Sequence, residues 1–168
     1  LIARYCLNRG YSVEILDAEA EGLCVEDTAI EIMSRNPRLA VFCVYGHQPS
    51  ASTQYLPGAS AVARLLRGQV STLALGTHPS ALPARTLQEE PFDYVCQGEG
   101  PQTIVELLQN GPLDAPGLHY WGTRDVASYS NLSAPNTVEL DTDLPGKAWE
   151  LLDMDCYRAN QMHRWTGR

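Results

Sequence analysis

Lysine is almost missing from this chain. Lys147 is the only one, and 20 acidic residues outweigh 12 basic ones for a formal net charge of −8. A surface this poor in cations repels a phosphate backbone, which argues against a nucleic-acid partner. Long apolar runs are missing as well. The longest, LAVFCVY (residues 39–45) and STLALG (residues 71–76), fall far short of the roughly 20 residues of a membrane helix, and no basic stretch leads into an apolar signal. Five cysteines (Cys6, Cys24, Cys43, Cys96 and Cys156) are odd in number and scattered, without the C-x-x-C spacing of a metal knuckle or dithiol. The expectation is a cytoplasmic chain with no membrane partner. Neither G-x-x-x-x-G-K-[ST] nor G-x-G-x-x-G occurs, and no Ser-His-Asp or Cys-His set can be assigned, so no catalytic residue is expected in this chain alone.

What is present is an alternation of short apolar runs with helical periodicity. In 168 residues with 44% hydrophobic content, that alternation predicts one α/β core, a parallel sheet covered by helices on both faces. Residues 2–9 read as the end of a helix closed by Gly10, and YSVEILD (residues 11–17) as an outer strand. Val25, Ala29, Ile30 and Met33 repeat at helical spacing. LAVFCVY is apolar on both faces and reads as a buried central strand. The next helix is expected to begin near Pro57, after a long loop. A strand over residues 70–75, a short helix from Pro83, a strand over residues 93–96 and a helix from Pro101 complete the pattern. The chain opens on a helix without an initiating Met, as if a strand and its loop had preceded it. Proline and glycine become frequent after residue 110, where GLHYW and VASYS flank GTRD as a small hairpin ahead of an irregular tail. The expected division is an α/β domain over residues 1–112, then a hairpin and linker over residues 113–168.

Ligands of open α/β sheets collect beyond the carboxyl ends of the strands, and three loops qualify: residues 45–56, 76–82 and 97–100. They share small and hydroxylated residues. Ser50, Ser52, Thr53, Thr77 and Ser80 can hydrogen-bond amides, phosphate or ribose, while Gly46, Gly76 and Gly98 permit close backbone approach. Ordinary strand-to-helix turns use the same residue types. His47 and His78 suit hydrogen bonding better than metal ligation, because neither has a second His, Cys or carboxylate at a useful local spacing; no metal ligand is expected. His119 and His163 have weaker claims. Glu99 can accept from a ligand, or stabilise the N-terminus of the following helix.

In order along the chain, YSVEILDAE, RNPRLAVFCVYGHQPS, LALGTHPSALP, PFDYVCQGEG and LPGKAWELLDMDCYR resemble the cobalamin-binding domain of class B radical S-adenosylmethionine enzymes. The likeness spans nearly the whole chain, with GTHPSALP and GEG its most specific pieces. It implies a flavodoxin-like domain that holds cobalamin (vitamin B12) by its corrin edge and nucleotide tail. Tyr45, Gly46, His47, Gln48, Ser50, Ser52 and Thr53 would line one side. Gly76, Thr77, His78, Pro79 and Ser80 would approach the nucleotide tail, and Gln97, Gly98 and Glu99 would border the other edge. Thr77 stands where the family more often has a second glycine.

The resemblance further implies a partner, a radical core domain of the parent enzyme, most simply a methyltransferase. S-adenosylmethionine and a [4Fe-4S] cluster held by C-x-x-x-C-x-x-C belong to that core, and this sequence contains no such triplet. It also lacks the D-x-H-x-x-G motif that donates an axial histidine in cobalamin-dependent methionine synthases and mutases, so cobalt is expected without a protein histidine. Two other readings stay open. One is a flavodoxin-like regulatory or partner-binding module without corrinoid, and the other is a flavin- or nucleotide-binding domain.

Overall fold

The computed structural model describes residues 1–46, 48–122, 128–132, 142 and 146–157. Its centre is a five-stranded sheet in the order β1-β2-β3-β4-β5: β1 (Ala40–Val44), β2 (Thr72–Gly76), β3 (Tyr94–Cys96), β4 (Leu118–Trp121) and β5 (Ser128–Ser130). The first three strands are parallel, β4 adds antiparallel to β3, and β5 adds antiparallel to β4. Helices α1 (Ile2–Leu7), α2 (Val25–Arg35), α3 (Pro49–Leu66), α4 (Thr77–Ala81), α5 (Pro83–Glu89) and α6 (Pro101–Asn110) flank them. This is the expected flavodoxin-like α/β architecture, with the hairpin built into the same sheet.

Alternation along β2 divides the core. Leu73 and Leu75 face one way, into a cluster with Cys6 of α1, Ile104, Val105 and Leu107 of α6, and Leu118 of β4. Ala74 faces the other way, with Val44, Leu56, Ala63, Leu87, Phe92 and Val95 under α3 and α5. A third cluster joins Ala29 of α2 to Ala40, Val62, Leu66 and Val70. A strand buried on both faces is apolar except where a polar side chain finds a partner, which is why β2 reads as a continuous Leu73-Ala74-Leu75 run after a hydrogen-bonded Thr72. At the amino ends of the strands the Asp93 carboxylate accepts from the Thr72 N–H (2.7 Å) and hydroxyl (2.9 Å), pinning β2 to β3.

Several expectations are corrected. LAVFCVY forms β1 at one edge of the sheet, with Val41 and Phe42 half-buried and Cys43 exposed, because among the described residues no strand pairs with its outer side. Residues 11–17 join no ladder, although Tyr11, Val13 and Ile15 are half-buried while Ser12 and Glu14 are exposed. Such alternation reports one-sided burial, which Val13 obtains against the α1/α6 cluster without strand pairing. Helix α3 begins at Pro49, leaving Pro57 inside it. Proline at that position forfeits the hydrogen bond to the Thr53 carbonyl. The helix continues because Leu56, Ala59 and Ala63 pack into the core beneath it. The supposed loop at residues 76–82 is largely the short helix α4.

The tail returns to the body. Arg4 of α1 binds the Lys147 carbonyl (3.1 Å) and the Glu150 carboxylate, and the Tyr157 hydroxyl donates to Asp17 (2.7 Å). That last bond pushes the Tyr157 phenol up to about 12.

Candidate functional site

The carboxyl ends of β1, β2 and β3 lie side by side, so the segments that follow them share one rim of the sheet. After β1 the chain makes a tight turn, the Tyr45 N–H donating to the Cys43 carbonyl (3.0 Å), and α3 starts four residues later. Gln48, Ser50 and Thr53 are thereby exposed at the start of α3. The Gln48 side chain makes no capping bond and the first turn holds no acidic residue, so neither the N-cap nor the first turn compensates the positive end of this 18-residue helix dipole.

Ser52 points the other way. It is fully buried, and its hydroxyl donates to the Val44 carbonyl while accepting from the His78 N–H (3.0 Å). One turn of chemistry further out, Thr53 Oγ1 and His78 Nδ1 are joined by a 2.9 Å hydrogen bond. The Ser80 hydroxyl then reaches the third segment, accepting from the Gly98 N–H (3.0 Å) and donating to the Gly98 carbonyl (3.2 Å). Side-chain hydroxyls thus tie the three segments into one continuous wall. Serine and threonine do this because a hydroxyl donates and accepts at once on a short stem.

The glycines differ in what surrounds them. A Cβ on Gly76 would stand 2.1 Å from the Val44 carbonyl oxygen, and one on Gly46 would stand 2.3 Å from Ala51 Cβ. Both permit protein to approach protein. At Gly98 (φ +113°), among the described residues, no atom beyond its own chain neighbours lies within 4 Å of the Cβ position, so the backbone there has open space beside it.

Tyr45 stands exposed beside this rim. Burial of part of its ring pushes the phenol above its ordinary value, with Cys43, Cys96 and Glu99 adding in the same direction, which brings Tyr45 and Glu99 into one neighbourhood. Cys43 is accessible to solvent, yet desolvation pushes its thiol up to about 11.

Of the residues singled out from sequence, Tyr45, Gly46, Gln48, Ser50, Thr53, Gly98 and Glu99 are exposed, and Thr77, His78, Ser80 and Gln97 are half-buried. Ser52, Gly76 and Pro79 are buried and act inside the wall. His47 and His163 lie outside the described residues. His119, set aside in sequence, belongs with the rim: its Nε2 is 3.2 Å from Gln97 Oε1. The exposed set offers hydroxyls, an amide and a phenol, the donor chemistry of a large, polar-rimmed ligand. Among the described residues no group of three or more His, Cys, Asp and Glu side chains can hold a metal ion, and no helix is long and apolar enough to cross a membrane.

Comparison with known proteins identifies the family of this part of the chain. A family model described as "B12 binding domain" matches residues 1–108, which contain β1–β3 and all three segments of the wall. No curated protein and no solved structure matches the chain. The chain belongs to the B12-binding domain family.

Proposed function

We propose that this B12-binding chain holds its corrinoid across the wall formed by Thr53, His78, Ser80 and Gly98, as the cofactor-carrying portion of a cytoplasmic radical S-adenosylmethionine enzyme, most simply a methyltransferase. Family membership over residues 1–108 is the observation that carries the corrinoid. The donor set fits that ligand. Amide groups around a corrin ring match the exposed hydroxyls of Ser50 and Thr53 and the Gln48 amide. The uncompensated N-terminus of α3 favours the phosphate of a nucleotide tail. Gly98 leaves space for a ring or tail to lie against backbone.

Bound cobalamin supplies a metal centre that accepts and donates a methyl group. The residues here would bind and orient it: hydroxyls would grip the periphery while the tied loops hold their spacing, with the exposed Tyr45 beside them. The radical core, with its S-adenosylmethionine and [4Fe-4S] cluster, is read from the likeness of GTHPSALP, GEG and AWELLDMDCYR. Titration with hydroxocobalamin tests the first part. A shift of the corrinoid absorption bands and colour retained through gel filtration are expected. A folded chain that stays colourless and spectrally unchanged overturns the reading. For the second part, the parent coding sequence is expected to carry C-x-x-x-C-x-x-C downstream, and its absence there removes the radical assignment.

A further inference from the structure

The segment after β3 is held from two sides. On the β2 side, Ser80 makes both of its hydrogen bonds to Gly98. On the β4 side, the Gln97 N–H donates to the Gly117 carbonyl (2.8 Å), and the Gln97 side chain meets His119. His119 lies opposite Val95 in the antiparallel register, so its side chain projects from the same face as those of Val95 and, two residues on, Gln97.

The chemistry of that pair is directional. An amide oxygen only accepts, so the contact between His119 Nε2 and Gln97 Oε1 requires the proton on Nε2. Neutral imidazole supplies it, and burial of His119, 8% exposed, lowers its pKa and favours that neutral form. With its oxygen engaged, Gln97 has its NH2 group left to donate.

We infer that His119 is a positioning residue for the corrinoid site, holding the Gln97 amide so that its NH2 group is turned to carbonyl or phosphate acceptors of the ligand. This rests on the cobalamin reading above. It extends the site to β4, which lies beyond the matched residues 1–108. The hairpin then contributes to binding as well as to the sheet.

A double-mutant cycle on hydroxocobalamin affinity tests the inference, with thermal melting to confirm that each variant is folded. Gln97→Leu and His119→Phe are each expected to weaken binding roughly 5-fold, the double variant no more than the worse single one. His119→Gln, whose amide can still donate, is expected to recover most of the loss. Additive losses, or wild-type affinity in His119→Phe, overturn the inference while leaving the cobalamin reading intact. Failure of the wild-type chain to bind removes both. A second readout needs no variant: the Gln97 side-chain NH2 resonances of the wild-type protein are expected to shift on adding hydroxocobalamin, and unmoved resonances overturn the inference.

Discussion

Gly76 and Gly98 end neighbouring parts of the same rim and share a positive φ, +138° and +113°, yet they meet opposite surroundings. Gly76 is buried where β1 and β2 converge, its missing side chain replaced by the Val44 carbonyl. Gly98 is exposed and faces empty space. Sequence sees two glycines after two strands and assigns both to a ligand. The structure divides them: one lets the protein close on itself, and the other leaves backbone accessible from outside. The same carbonyl that blocks a side chain at Gly76 also accepts from Ser52, so Val44 is the point at which β1, β2 and α3 are fixed together.

Three substitutions probe this contrast. Gly76→Ala places a methyl group against backbone that cannot yield, and is expected to cost about 3 kcal/mol or more of stability, read as a lowered urea midpoint. A variant as stable as the wild type would break the comparison at its root. Ser52→Ala leaves the Val44 carbonyl and the His78 N–H in the interior without their hydroxyl partner, an expected loss of about 2 kcal/mol in the same measurement. An effect below the error of the midpoint would mean that water replaces the hydroxyl and that the wall is less continuous than its hydrogen bonds imply. Gly98→Ala incurs only conformational strain, about 1 kcal/mol, while adding bulk where ligand is expected to lie. Its corrinoid affinity should therefore fall further than its melting temperature. Equal sensitivity in the two glycine variants would erase the distinction.

Helices announced themselves where sequence chemistry is local. Pro83 and Pro101 do open α5 and α6, and Gly111 closes α6, because a fixed φ and a missing N–H suit a first turn whatever lies around it. The same signal misplaced α3: Pro49 and Pro57 carry it equally, and burial of Leu56 and Ala63, a long-range matter, decides in favour of Pro49. β1 shows a similar limit. Apolar residues on both faces of LAVFCVY report helices above and below, and say nothing of which strands stand beside it. At the rim, residue types pointed to three segments that the sheet does bring side by side, but the partners of Ser52, Ser80 and His119 depend on which segments the sheet brings together, and no local spacing encodes that.

Because Ser52, Thr53, His78 and Ser80 already link the three segments, the rim is ordered when the chain folds. A ligand bound there, as proposed, would meet a surface whose linked loops have less conformational freedom to lose, so its association would be opposed by a smaller entropy loss than three independent loops would impose. Tightness at such a surface would come from rigidity set in advance of the encounter.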